Sequence, residues 1–119
     1  MPWKLDNNRP IWPQLSQHLA RQIITGVYPP GSRLPSVREL AAEAGVNPNT
    51  MQRALAQLEQ EGLAKADRTA GRLVTQDIGV LEAIQMREAK TVIQDYFEAM
   101  ASLGYTRERA VSLLKEEFQ

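Results

Sequence analysis

The chain has 119 residues and no formal net charge, with 14 Lys and Arg against 14 Asp and Glu. Its composition, 43% hydrophobic and 24% charged, is that of one compact globular unit with a small additional segment. The absence of cysteine and the single histidine exclude disulfide chemistry and argue against a metal site, and no cofactor is expected. With no long apolar run and no secretory leader, we expect a cytoplasmic protein without membrane association.

The charges are unevenly distributed along the chain. Residues 1–75 contain nine basic and six acidic residues, whereas residues 76–119 contain five and eight. This asymmetry is typical of a nucleic-acid-facing part joined to a partner-facing part, although chance can also produce a difference of this size. This distribution is consistent with two parts of different function, residues 1–75 and residues 76–119.

The first predicted element is an amphipathic helix over about residues 11–26. Apolar residues recur there at every fourth position from Ile11 to Val27, so that they form a stripe facing the core. Trp12 is apolar enough to pack against the domain. His18 lies beside the stripe, and we interpret it as a side chain packed at the domain edge rather than as a ligand.

Two further helical patterns follow, separated by a short turn that contains Gly45. Ser36 precedes Glu39 by three residues, which is the spacing of a capping box at a helix start. Asn47 followed by Pro48 is typical of the start of a second helix. Two short helices joined by a tight turn predict a helix-turn-helix, a motif that binds DNA.

The second helix of this motif has two contrasting faces. At about 100° per residue, one face carries only apolar side chains. They are Met51, Ala54, Leu55 and Leu58. The opposite face carries Asn49, Gln52 and Arg53. Arg can pair with guanine and Asn or Gln with adenine, which favours a helix that enters a major groove. The alternative is the solvated face of an ordinary amphipathic helix.

A β-hairpin is predicted behind the helix-turn-helix. Residues 63–66 and 73–75 are the expected strands, and a basic loop over residues 67–72 joins them. A hairpin at this place is a wing, which can lie along or in the adjacent minor groove. The alternative is an ordinary surface hairpin with solvated arginines.

Beyond residue 76 the pattern predicts two amphipathic helices of about 25 and 12 residues, broken at Gly104 and with Thr106 as the cap of the second. Their apolar faces are too wide to cover each other, so we predict that a second copy of the chain covers them. The alternative is a monomer in which this hairpin packs on its own winged domain. The predicted dimerisation residues are Val92, Ile93, Tyr96, Phe97, Met100, Leu103, Leu114 and Phe118.

The run PPGSRLPSVRELAAEAGVNPNTMQRALAQLEQEGL, preceded by a helix that begins PIWPQL, resembles the DNA-binding domain of GntR-type bacterial transcriptional regulators. The resemblance covers about residues 9–75 and rests on four motifs in this order: PPG, LPS-x-REL, GV-x-PNT-x-RA and LE-x-EGL. The short two-helix tail resembles the YtrA-type subgroup. The expected fold is mainly α with a small β-wing, in which a winged helix-turn-helix domain precedes a C-terminal helical hairpin for dimerisation.

The resemblance implies several DNA contacts. Arg38 matches a family arginine that contacts a base; its alternative is a surface ion pair with Glu39 or Glu43. The wing sequence RTAGRLV replaces the family's usual RGKGTFV, so the tip lacks one glycine and its lysine, and Arg68 and Arg72 are expected to hold phosphates. The predicted DNA-binding residues are Arg33, Ser36, Arg38, Asn47, Asn49, Thr50, Gln52, Arg53, Arg68, Gly71 and Arg72, with Lys65 as a further backbone contact. Sequence selectivity is expected from Arg38, Asn49, Gln52 or Arg53.

We therefore predict a sequence-specific transcriptional regulator that binds a pseudo-palindromic, double-stranded operator as a homodimer. It could repress or activate, and the resemblance favours a repressor. The alternative is a winged-helix protein-interaction module without DNA binding. The sequence has no phosphate-binding glycine loop, metal-ligand cluster or nucleophile paired with a base, so an enzyme is not expected. It gives no indication of a small-molecule effector.

Overall fold

The computed structural model describes residues 3–118. Within this range the elements are α1 (Ile11–Ile24), α2 (Val37–Ala44), α3 (Pro48–Gln60), β1 (Ala64–Asp67), β2 (Gly71–Val74), α4 (Ile78–Ser102) and α5 (Arg107–Glu117). The chain divides into two compact units, one ending at Gln85 and the other beginning at Met86, so residues of α4 belong to both. No helix in this range is both long and apolar enough to cross a membrane.

The core of the first unit lies where α3 packs against α1 and α2. The predicted stripe of α1 is buried from Leu15 to Ile23, as is the predicted apolar side of α3. The largest fully buried side chains come from all three helices and from the segments that follow them. They are Leu15, Leu19, Leu34, Leu40, Met51, Leu55, Leu58 and Leu63.

Helix α1 ends two residues earlier than predicted. The Thr25 hydroxyl donates to the Arg21 carbonyl oxygen at 2.7 Å, and Gly26 takes a φ of 83°, which turns the chain out of the helix. Val27 therefore lies beyond the helix and is 52% exposed. Its predicted place in the core-facing stripe is wrong, because the four-residue spacing continues past the point where the helix ends.

The helix-turn-helix forms as its local sequence signals predict. The Ser36 hydroxyl oxygen accepts the Glu39 N–H at 3.1 Å and the Glu39 carboxylate accepts the Ser36 N–H at 3.4 Å, which completes the capping box. Gly45 ends α2 in the left-handed conformation, with a φ of 71°. The Asn47 side chain then accepts the Asn49 N–H at 2.7 Å and starts α3.

The wing is a two-stranded antiparallel sheet whose register places Ala64 opposite Val74 and Asp67 opposite Gly71. The loop is shorter than predicted, because only residues 68–70 lie between the strands. Gly71 and Arg72 belong to β2 rather than to the loop, which corrects their predicted position. The Asp67 carboxylate closes this short loop by accepting the N–H groups of Thr69 and Ala70, each at 2.9 Å.

The N-terminal segment packs on the edge of the first unit. The Trp3 ring stacks on His18 with 4.0 Å between centroids, and the Trp3 indole N–H donates to Glu43 at 3.1 Å. The His18 Nε2 atom is buried, and the described residues offer it no hydrogen-bond partner. These contacts confirm that His18 is a packed edge residue.

The second unit is a helical hairpin formed by the C-terminal part of α4 and by α5. Gly104 turns the chain with a φ of 92°, and the Thr106 hydroxyl caps α5 by accepting the Arg109 N–H at 3.1 Å. The Tyr96 hydroxyl donates to the Ala110 carbonyl oxygen at 2.8 Å, and the Ala110 side chain is fully buried. These contacts hold the two helices together.

The environment of His18 makes the stability of the first unit dependent on pH. Burial lowers the pKa of His18 below its ordinary 6.5, and the charge of Glu43 opposes this shift. The unfolded chain thus takes up a proton at higher pH than the folded chain. Stability should be complete above pH 6.5 and fall as the pH drops through 6.5 toward the lowered value. Urea unfolding between pH 8 and pH 5 measures this effect.

The matched variant is His18→Phe, which keeps a ring against Trp3 but cannot titrate. Its unfolding free energy should change less over this pH range than that of the wild type. An identical pH dependence in the two proteins would contradict the role given to His18.

Candidate nucleic-acid interface

Helix α3 presents a polar surface because its other side is anchored in the core. Met51 and Leu55 are fully buried, whereas Asn49, Gln52 and Arg53 are exposed. The amide groups and the guanidinium are the groups that recognise base edges and phosphates in DNA. The structure thus brings these three predicted residues together on one accessible face.

Two of the predicted DNA-binding residues, Ser36 and Asn47, also cap helices. Ser36 and Asn47 are both exposed, but their side-chain oxygens accept the backbone N–H groups that start α2 and α3. Their side chains therefore fix where the two helices begin. Thr50, in the first turn of α3, is half-buried.

Arg38 lies in the first turn of α2 and is exposed. The alternative role for this residue is an ion pair with Glu39 or Glu43. Within residues 3–118 no such pair forms: Glu39 accepts the Ser36 N–H and Glu43 accepts the indole N–H of Trp3. The guanidinium of Arg38 is thus available to an external acceptor.

Arg53 makes a contact that the sequence did not predict. Its guanidinium carbon lies 4.8 Å from the centroid of the Trp12 ring, which belongs to the first turn of α1. A cation over the face of an indole ring is attracted by the negative charge of that face. No periodicity could reveal this pair, because its two members are on different helices.

The two arginines of the wing, Arg68 and Arg72, differ in exposure and in their contacts. Arg68 is exposed at the loop, whereas the Arg72 guanidinium forms an ion pair with the Glu59 carboxylate of α3. The side chains of Arg72 and Glu59 are only 19% and 33% exposed, so this pair is largely shielded from solvent. The structure thus ties β2 to α3, and a phosphate contact by Arg72 would have to compete with Glu59.

Arg33 lies beside the wing. Arg33 is exposed, and its backbone forms an isolated antiparallel β-bridge with Leu73. The next residue, Leu34, donates its N–H to the Arg72 carbonyl oxygen at 2.9 Å. Gly71 has a φ of 82°, and a Cβ atom at Gly71 would lie 3.9 Å from the Arg33 Nε atom. Arg33 is thus positioned near the start of β2.

The Asp67 carboxylate lies at the wing loop. Hydrogen bonds from the N–H groups of Thr69 and Ala70 and from the Thr69 hydroxyl lower the pKa of Asp67. Asp67 therefore stays charged to lower pH than an ordinary aspartate. A fixed negative charge opposes the insertion of this loop between phosphates, in addition to the missing lysine and glycine of the tip.

The chain matches a known family of bacterial proteins. Residues 13–74, more than half of the chain, match the family described as "Bacterial regulatory proteins, gntR family". The chain belongs to the gntR family. A solved gntR-family transcriptional regulator from Listeria monocytogenes shares 34% identity and a TM-score of 0.80 with it, over 94% of this chain and 98% of the other. This structural similarity confirms the predicted winged helix-turn-helix fold with C-terminal helices.

Two curated relatives come from Bacillus subtilis (strain 168). The uncharacterized HTH-type transcriptional regulator YhcF is 27% identical over 94% of this chain and 93% of its own length. The HTH-type transcriptional repressor YtrA is 37% identical over 60% of this chain and 55% of its own length. They confirm the predicted resemblance to YtrA. They also confirm the prediction of a DNA-binding transcriptional regulator rather than an enzyme.

The ion pair between the wing and α3 can be tested by Glu59→Gln. This substitution removes the charge and leaves Arg72 in a partly buried position without its carboxylate. We expect a loss of about 1 kcal/mol of unfolding free energy, measured by urea unfolding, because the pair is partly shielded yet still reached by solvent. The double variant Glu59→Gln/Arg72→Gln should be only slightly less stable than Glu59→Gln alone. If its loss of unfolding free energy equals the sum of the losses of Glu59→Gln and Arg72→Gln, the pair does not contribute to stability.

Proposed function

We propose that the chain is a sequence-specific repressor that binds a pseudo-palindromic operator as a homodimer. The observation that carries this proposal is the exposed polar face of α3, with Asn49, Gln52 and Arg53 opposite a buried apolar side. A helix with this arrangement can enter a major groove while its other side stays in the core. Two copies related by twofold symmetry would read two half-sites about one helical turn apart.

The contacts divide into base reading and phosphate binding. Arg38, Asn49 and Gln52 are proposed to read base edges, because their side chains are exposed near the starts of α2 and α3. The other predicted residues except Arg53 are proposed to position the DNA backbone. They are Arg33, Ser36, Asn47, Thr50, Lys65, Arg68, Gly71 and Arg72.

The dimer is proposed to form through residues 76–119, with residues 1–75 as the DNA-binding domain. Five of the predicted dimerisation residues are exposed apolar side chains: Val92, Ile93, Leu103, Leu114 and Phe118. Exposed apolar side chains in this number favour burial against a partner. Tyr96, Phe97 and Met100 are half-buried within the hairpin and complete the proposed surface.

Repression and location follow from the same proposal. A dimer bound across an operator can block access to a promoter, and the relative YtrA is a repressor by name. A regulator of this kind acts on chromosomal DNA, so we place it in the cytoplasm.

The proposed function is tested by selecting duplexes from a random pool with the purified protein. The wild type should enrich a pseudo-palindromic duplex and bind it more tightly than a scrambled duplex of the same composition, measured by fluorescence anisotropy. Failure to enrich any duplex would favour the alternative of a protein-interaction module without DNA binding.

The base-reading role of Arg38 is tested by Arg38→Ala. Loss of a bidentate guanine contact should weaken binding to the selected duplex by about 1 to 3 kcal/mol and relax the preference at one base pair in each half-site. The control is Lys90→Ala. It removes a positive charge from α4 at a residue that is not among the proposed DNA or dimer contacts, so it should change DNA binding little. An equal loss by Arg38→Ala on selected and scrambled duplexes would instead assign Arg38 to a phosphate.

The dimer surface is tested by Ile93→Lys. Ile93 is 53% exposed, so a lysine there should leave the fold intact but place a charge in the proposed interface, where burial is costly. Sedimentation analysis should show a shift from dimer toward monomer. Glu98→Lys places the same residue on the opposite, exposed face of α4 and should leave the dimer unchanged. A monomeric wild type would refute the homodimer.

A further inference from the structure

Trp12 and Arg53 form a pair that joins α1 to α3 at the polar surface. The Arg53 guanidinium carbon lies 4.8 Å from the Trp12 ring centroid, Trp12 is half-buried and Arg53 is exposed. The two residues are 41 positions apart, so the contact depends on the packing of α1 against α3. A guanidinium stacked on a ring keeps its N–H groups free at the edge, where they can bind an anion.

Arg53 differs from Asn49 in its position along α3, and from Gln52 in its contact with Trp12. Asn49 lies in the first turn of α3, and Arg53 follows four residues later, about 6 Å farther along the helix axis. In a helix-turn-helix the first residues of the recognition helix contact base edges. Arg53 thus lies beyond the first turn of α3, and its guanidinium lies against the Trp12 ring of α1.

The wing gives a second reason to assign a phosphate to Arg53. Arg72, a predicted phosphate contact at the wing, is held by Glu59. Arg53 is held instead by an uncharged ring, which leaves its positive charge uncompensated by that contact. A positive charge that is fixed in place but not neutralised suits a phosphate, which needs charge more than it needs a specific hydrogen-bond pattern.

We propose that Arg53 binds a phosphate of the DNA backbone and that Trp12 is the positioning residue that holds its guanidinium for this contact. Arg53 then contributes affinity and salt dependence, and sequence selectivity comes from Arg38, Asn49 and Gln52. This inference rests on the proposed function, since it names the chemical group that one part of the same interface recognises.

The test compares Arg53→Gln, Trp12→Leu and Trp12→Phe on the duplex enriched by the wild type and on a scrambled duplex. Arg53→Gln should weaken binding to both duplexes by the same factor. It should also make the plot of log K against log salt less steep by roughly 2, because each of two half-sites loses one phosphate contact worth about 0.9. A second selection, made with the Arg53→Gln protein, should enrich the same DNA sequence that the wild-type protein enriches.

Trp12 is tested through Arg53. Trp12→Leu should weaken binding to both duplexes by about two- to five-fold per half-site, the effect expected for losing a cation–π contact at an exposed site. Trp12→Phe keeps an aromatic face and should recover most of this loss. Combining Trp12→Leu with Arg53→Gln should cost little more than Arg53→Gln alone, because Trp12 has no cation left to position.

Each of the following results would overturn the inference. A changed base preference for Arg53→Gln in the second selection would make Arg53 a base-reading residue. Additive losses in the double variant, or equal losses for Trp12→Leu and Trp12→Phe, would show that Trp12 does not act through Arg53. If Trp12→Leu does not fold, judged by thermal unfolding, the salt dependence of Arg53→Gln still tests the phosphate contact. Trp12→Phe should then keep the salt dependence of the wild type, and the slope seen for Arg53→Gln would contradict the role of its aromatic face.

The inference and the proposed function fail differently. A wild type that enriches no duplex removes the proposed function and with it the interface. A wild type that selects an operator, but whose Arg53→Gln variant keeps the full salt dependence, retains the proposed function and refutes only the phosphate contact.

Discussion

Burial of the apolar side of α3 is the constraint on which the rest of the first unit depends. Met51, Leu55 and Leu58 are fully buried against the neighbouring helices. Complete burial of each such side chain stabilises the fold by about 1.5–3 kcal/mol, so turning α3 about its axis would cost several kcal/mol. The exposure of Asn49 and Gln52 follows from this cost, because these residues lie on the side that burial leaves in solvent.

Two residues of α3 also contact side chains of neighbouring elements: Arg53 lies on Trp12, and Glu59 pairs with Arg72. Three arginines near the polar surface have three different surroundings: Arg38 is exposed without an ion pair in the described chain, Arg53 lies on Trp12, and Arg72 is paired with Glu59. Three guanidinium groups of the same charge thus lie in three different environments. The Glu59 contact also ties the wing strand to α3, so the wing takes its position from the helix that carries the exposed polar face.

In the second unit, burial separates the apolar residues into two groups. Tyr96 donates to the Ala110 carbonyl oxygen and Phe97 lies under the Arg107 guanidinium, so both take part in the contact between α4 and α5. Ile93 and Phe118 remain exposed. The spacing along α4 predicted one wide apolar face, but it could not separate the part that stabilises the hairpin from the part that stays in solvent.

The sequence by itself determined where most elements begin and end and which side of α3 is buried. Capping by Ser36 and Asn47, the turn at Gly45 and the helical periodicity depend on residues a few positions apart, so they can be recognised along the chain. Tertiary structure decided the partners of the side chains, such as Arg53 with Trp12 and Trp3 with His18. These pairs join residues on separate elements, and only the packing of the helices brings them within reach.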